Sequence, residues 1–440
     1  MFSVAKWKSG EKWTNWSENI LAYPSEMCLP RSIEEVSQIV RQAREAKKTI
    51  RVTGAGHSFS AVAMPEQIAM SLHEMRGLIE VDKEAGEATL WAGTYLSEIG
   101  PLLAAHGFAL ANMGDIQEQS LAGAVSTGTH GTGVTLGSLS SMIVKWCFVD
   151  GTGEYHEHQR GDDELSEALH LSLGLIGILV KLTIKVIPIY SLHYVASGES
   201  LSLGLATFSE DIRANRHVEW FYFPGSETIQ VKRMNAVAPI EQNVWSKRAE
   251  LLKLQIVENG AFYVMSEMCR WRPQLSSVMS KVAAANVTKG EKTGLSYEIY
   301  PTPRNVKFRE SEYAIPLSQF HACLEEVHAT LKNKPYNVHF PIECRTTAGE
   351  AGFLSPTQGK ESAFLAFHMY KGMPEEAYFT WVHSLMEKYE GRPHWGKMND
   401  LHAARVHELY PNMHVFLKLR FRYDPDNVLL TNYLKKLIIV

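Results

Sequence analysis

The chain reads as a two-domain α+β protein, and three observations lead there. Its 440 residues are too many for one ordinary core and suit two domains. The strand-like run Thr49-Ile-Arg-Val-Thr53 ends in the turn Gly54-Ala-Gly56, but Phe59 stands where the dinucleotide fingerprint GxGxxG needs its third glycine, which disfavours a doubly wound fold. A β-branched strand from Ile178 to Ile187 then stops at Pro188 and marks a boundary.

Composition narrows the function classes. A net charge of −4 leaves no electrostatic footprint for nucleic acid, and no basic run seeks an anionic membrane. Cys28, Cys147, Cys269, Cys323 and Cys344 are scattered without a CxxC pair, so a reducing compartment is expected rather than a disulfide framework or a thiolate metal site. The opening residues lack the apolar core of a signal peptide. The most apolar window, Leu169 to Val180, is shorter than the roughly 20 residues of a membrane span. A cytoplasmic protein is expected.

In chain order, Ser32 caps a helix whose buried face is Ile33, Val36, Ile39, Val40 and Ala43, and Glu35 completes a capping box. That helix leads into the strand before Gly54, whose missing Cβ lets backbone turn sharply or approach a ligand. Residues 68–93 read as short strands of one sheet, and Thr94 as the cap of a helix running to about His106. Ile143–Val149 and Glu154–His156 form a hairpin around Asp150-Gly-Thr-Gly153, and Asp162 caps a helix to about Leu173. Beyond the boundary, Glu219-Trp-Phe-Tyr-Phe is strand-like and residues 245–285 are helical, but no chemistry is visible between 190 and 295. Later strands are expected at Val338–Thr346 and Phe364–Tyr370, an irregular loop at Gly391–Lys397 and a helix at Leu401–Leu409.

Between Asn112 and Gly133, glycines interleave with Ser and Thr hydroxyls and with apolar Ile116, Leu121, Ala122, Ala124 and Val125. A flexible linker would not carry those apolar residues. Buried small-residue backbone of this kind exposes amide donors able to hold an anionic pyrophosphate. In the strand at 338–346, Glu343 and Arg345 project from one face, two residues apart. The plainer alternative is a surface ion pair worth little. His339 and Glu343 lack a third partner, so no metal centre is expected.

Together, Gly54-Ala-Gly-His-Ser58, Ser120-Leu-Ala-Gly-Ala-Val-Ser-Thr-Gly-Thr-His-Gly131, Glu343-x-Arg345 and His394-Trp-Gly-Lys397 resemble the motifs of vanillyl-alcohol-oxidase (VAO/PCMH-type) flavoenzymes. Among these, the chain is most similar to the sugar-1,4-lactone oxidases, with alditol oxidase as a near relative. The resemblance spans about residues 12–190 and 297–434 and is weak over 191–295. It implies an FAD-binding domain at 1–190, completed by the tail 393–440 that carries Asp424, Pro425 and Asn432, and an α+β substrate domain at 191–392.

The resemblance also implies the site. FAD would be held by Gly54, Ala55, Gly56, His57, Ser58, Ser120, Gly123, Ser126, Thr127, Gly128, His130, Gly131 and Ile178, with His57 bonded covalently to the flavin 8α carbon. Glu343, Arg345 and Lys397 would be catalytic, and Ser120, His368, Tyr370 and His394 would meet substrate. Arg345 and Lys397 jointly stabilise the charge arriving on the flavin and handle the hydroxyl proton. A cation roughly 4 Å from that charge, in an effective dielectric near 20, is worth about 4 kcal/mol, or about three decades in rate. The implied activity is oxidation of a lactone carbinol with oxygen reduced to hydrogen peroxide. Alternatives are a xylitol or sorbitol oxidase, a dehydrogenase with another acceptor, or a non-catalytic flavin- or sugar-binding protein.

Overall fold

The computed structural model describes residues 5–7, 11–240, 259–301, 306–334 and 336–440. The helix Ile33–Glu45 (α1) begins where Ser32 Oγ accepts the Glu35 N–H. The expected reciprocal bond falls one residue further out, because the Glu35 carboxylate accepts from Arg31 N at 2.8 Å. The next strand is Ile50–Val52 (β1), and its parallel pairing with Ile68–Met70 sets it in a four-stranded sheet. A second, five-stranded sheet holds the hairpin Ile143–Val149 and Tyr155–Gln159 beside Ile178–Lys185. That sheet also takes Leu78–Asp82 and Glu87–Trp91, and the short helix Leu121–Thr127 (α2) lies between these strands and the hairpin in sequence.

Two expected caps move by one residue. The helix Leu96–Ala104 starts from Tyr95, whose N–H is taken by Glu98, because Thr94 Oγ is committed to Trp91 O and the Gly77 amide in the preceding turn. Asp163 rather than Asp162 caps Glu164–His170, accepting from Leu165 N and Ser166 N.

The third sheet has eight strands. It includes His217–Tyr222 (β2), Thr228–Val237 (β3), Phe308–Pro316 (β4), Ile342–Thr347 (β5) and Ser362–Tyr370 (β6). Their spatial order is β3-β2-β5-β6-β4, all antiparallel, with Arg392–Pro393 added beyond β4. Of the helical stretch expected at 245–285, the described part forms Asn259–Trp271 and Ser276–Ala285; residues 245–258 lie outside the described residues.

The buried apolar residues form two cores. One combines α1, α2, the first two sheets and the last forty residues, with Trp395, Tyr410, Phe416 and Leu434 at or near zero exposure. The other packs one face of the eight-stranded sheet against Leu201–Ala214, Phe320–Asn333 and Glu376–Lys388, where Trp220, Phe320 and Phe367 are enclosed. Backbone bonds tie the tail to the first core: Ile50 N donates to Val428 O at 2.7 Å and Gly151 N to Tyr423 O at 2.8 Å. No helix among the described residues is long and apolar enough to cross a membrane.

Candidate active site

The glycine loop after β1 is held from both sides. Trp16 N donates to Gly56 O at 2.8 Å, Asn15 Nδ2 to Ser58 O at 2.9 Å and Asn19 Nδ2 to Phe59 O at 2.9 Å. From the opposite side, Phe59 N donates to Gly396 O at 2.6 Å, and Ser60 Oγ to Trp395 O at 2.6 Å. Gly56 takes φ +73°, a left-handed conformation natural to glycine. The loop and α2 border a cleft of about 1020 Å³.

Gly54, Ala55, Gly56, His57, Ser58, Ser120, Gly123, Ser126, Thr127 and Ile178 all line this cleft. Among the described residues, the backbone amides of Gly54 to Ser58 donate to no protein acceptor, so five consecutive N–H groups border the cleft with unspent donors. A Cβ on Gly54 would lie 2.6 Å from Ser120 Oγ, so the loop and the start of α2 approach closely because that side chain is missing. These features suit a pyrophosphate-bearing cofactor such as FAD. Gly128 and Gly131 do not line the cleft. Gly128 ends α2 at φ +78°, and a Cβ there would sit 2.6 Å from Leu171 Cδ1.

His57, Ser58, Gln119 and Thr127 are shared with a second chamber of about 680 Å³. Its wall is one face of the eight-stranded sheet. Antiparallel register sets Phe221, Glu343, Ala366 and Glu312 in one cross-strand row. Arg345 and Phe364 occupy the next row on one side, and His368 and Glu310 on the other. Residues two apart share a face, so Glu343, Arg345, Glu310 and Glu312 all point the same way. Glu343 is buried and the Arg345 side chain is only 12% exposed, which removes the surface-pair alternative.

Lys397 comes from the loop after Arg392–Pro393, and β4 holds that loop in place. His394 N donates to Glu312 O, Met398 N to Glu310 O and Ser311 Oγ to Met398 O, all within 2.7–2.9 Å. The Lys397 ammonium lies 2.6 Å from Glu310 and 3.8 Å from Glu312. Burial alone would raise the Glu310 carboxyl, but Lys397 and then His368 outweigh it and hold it at about 2. Burial also opposes ionisation of Glu312, yet His130, 3.4 Å away, helps hold its carboxyl well below the usual range. Arg345 stays firmly cationic because Glu343, Glu219 and Asp115 overcome its burial. Burial, then the nearby Lys397 charge, lower the His57 imidazole, while Glu118 works against them.

His130 and His394 line the second chamber with Glu312, and the three could place ligand atoms within 4.8 Å of one another. Gly396 N donates to His394 Nδ1 at 3.0 Å, however, which occupies that nitrogen's lone pair and leaves the proton of the neutral ring on the other nitrogen. His339 is remote from that cluster and bonds Ser266 Oγ at 2.9 Å.

Three residues expected to meet substrate do not line the second chamber. Ser120 borders only the first chamber, where its Oγ accepts from Gly123 N at 3.3 Å as the cap of α2. His368 and Tyr370 line neither chamber: every residue of β6 is buried, His368 Nε2 sits 3.6 Å from Glu310, and the Tyr370 hydroxyl donates to Glu267. The sequence reading also passed over Glu310, Glu312, Asp115 and Glu219. The Glu310-Ser-Glu312 spacing inside a strand was the available signal.

Two family models match the chain, the FAD binding domain over residues 24–158 and D-arabinono-1,4-lactone oxidase over residues 182–437. It is 32% identical over 428 residues to an L-gulono-1,4-lactone dehydrogenase of Mycobacterium tuberculosis, covering 97% of this chain and 99% of that one. It is 27% identical to an L-gulonolactone oxidase of Scyliorhinus torazame, covering 97% and 98% of the two chains. The structure of cholesterol oxidase from B. sterolicum superposes with a TM-score of 0.79 at 15% identity, over 99% of this chain and 97% of that one, and so shares the two-domain FAD-binding PCMH-type fold.

Proposed function

The chain belongs to the D-arabinono-1,4-lactone oxidase family of FAD-linked oxidoreductases, and from that membership and the cleft we propose that it oxidises a ring carbinol of a sugar 1,4-lactone to a carbonyl. Bound FAD supplies the hydride acceptor, and oxygen reoxidises it with release of hydrogen peroxide. The observation that carries the reading is the second chamber, where Arg345 and Lys397 stand among carboxylates next to the glycine-rich cleft.

In this reading the amides of Gly54 to Ser58 hold the pyrophosphate. Arg345 and Lys397 would meet the negative charge delivered to the flavin and handle the hydroxyl proton, Glu343 would orient Arg345, and the carboxylates with His394 would hold substrate hydroxyls. Burial of His57 keeps its imidazole neutral near pH 7, with a lone pair able to form the covalent link to the flavin. We take residues 1–190 with 393–440 as the FAD-binding unit and 191–392 as the substrate unit, in keeping with the two cores. The five cysteines, all buried and none in a disulfide, fit a reducing cytoplasm.

The test is anaerobic mixing of the flavoprotein with gulono-, galactono- and arabinono-1,4-lactones, xylitol and sorbitol, followed by air. At least one lactone is expected to bleach the flavin, with rapid recolouring and peroxide formation in air. Bleaching by polyols alone would overturn the lactone assignment. The name of the M. tuberculosis relative favours one second reading, a dehydrogenase passing electrons to another acceptor, and bleaching without rapid recolouring would select it.

A further inference from the structure

The strands β2 and β3, drawn from the interval in which the sequence shows no chemistry, place a fourth carboxylate behind the catalytic wall. Glu219 lies two residues before Phe221, which is opposite Glu343, and it pairs across the sheet with Lys232. It therefore shares the face of Glu343 and Arg345. Glu219 Oε1 accepts from Arg345 Nε at 3.0 Å, and Glu219 Oε2 lies 3.3 Å from Lys232 Nζ. That ammonium in turn sits 4.1 Å from the Phe221 ring centroid. Glu219 is 6% exposed and does not line the chamber.

The arrangement divides the guanidinium of Arg345. Glu219 takes Nε–H, Glu343 takes Nη2, and Asp115 stands 3.9 Å from Nη2. Among the described residues, Nη1 donates to no protein acceptor, and it is not enclosed, while Arg345 lines the second chamber. We propose that Glu219 is a positioning residue, which with Glu343 clamps Arg345 so that Nη1 is presented to the chamber, while Lys232 balances the clamp's charge. A planar guanidinium held at two of its nitrogens has its third fixed in direction, whereas one held at a single nitrogen can swing. Burial, together with the adjacent Glu343 carboxylate, pushes the Glu219 carboxyl up to about 8 against the pull of Lys232 and Arg345, so the clamp is costly to assemble.

The inference rests on the reading of Arg345 as the cation serving the flavin, and the test separates the two. Because removing Glu219 alone would strand Lys232 in the interior, the truncation is the pair Glu219→Ala/Lys232→Met. One measurement is lactone-driven flavin reduction. The other is the affinity of the bound flavin for sulfite, whose addition places negative charge on the ring and requires no lactone turnover.

The double variant is expected to weaken sulfite binding and slow reduction by about tenfold each, and Glu219→Gln, which keeps an acceptor for Nε–H, to recover most of that loss. In an Arg345→Ala background, the same change is expected to add nothing further. Losses that multiply in that background, or a Gln variant as impaired as the truncation, would overturn the clamp. If the truncation does not retain FAD, Glu219→Asp replaces it. Its shorter arm withdraws the carboxylate from Nε, and behaviour equal to that of Gln would overturn the proposal. Failure of every lactone to reduce the wild-type protein would remove the proposed function and leave the sulfite comparison standing.

Discussion

His57 sits at the junction of the two chambers, stacked 5.7 Å from the Trp16 ring, with its imidazole lowered chiefly by burial. A neutral ring in that place offers a nucleophilic nitrogen, so acid-precipitated wild-type protein is expected to stay yellow. His57→Ala is expected to release its flavin to the supernatant, and a yellow pellet from that variant would refute the covalent link. The histidine was legible from sequence because two glycines precede it within a ten-residue motif. Glu310 and Glu312 were less legible: they alternate with Arg309 and Ser311 in one strand, and their meaning comes from Lys397, some eighty residues later.

Among the elements, the loop after β1 and the cap of α2 are coupled. A Cβ at position 54 would meet Ser120 Oγ at 2.6 Å but Ser120 Cβ only at 3.6 Å, an ordinary contact. Gly54→Ala is therefore expected to displace the loop and reduce FAD content. Adding Ser120→Ala should restore much of it, at a cost of about 1 kcal/mol for the lost helix cap. Flavin-to-protein absorbance ratio and melting temperature check both variants, and an unimproved double variant would show that the contact is not what excludes the side chain. Helix and strand positions were readable because periodicity and cap residues are local. The caps at Tyr95 and Asp163 shifted by one residue because neighbouring turns claimed Thr94 and because two adjacent aspartates offered equivalent chemistry.

At the scale of the molecule, several buried imidazoles are held neutral. Burial lowers His217 and His394 to about 3 and His339 to about 4, from an ordinary value near 6.5. Between those values the unfolded chain binds more protons than the folded one. The stability tied to these groups is therefore complete above about pH 6.5 and is lost as pH falls, toward 4 for His339 and toward 3 for His217 and His394. Melting temperature is expected to fall over that window, and His339→Gln should flatten the slope by one group's share, roughly 1.4 kcal/mol per pH unit at most. An unchanged slope would mean that His339 is already protonated in the fold. The sequence alone determined what is written within a few residues: the glycine cradle, the caps, the strand carrying Glu343 and Arg345 on one face, and through its motifs the family. Only the tertiary structure decided that Glu219 and Lys232 stand behind Arg345, that Glu310 and Glu312 hold Lys397, and that His368 and Tyr370 lie away from the cavity. Those outcomes depend on strand order, cross-strand register and burial, which set charge partners and protonation through distances between residues far apart in the chain.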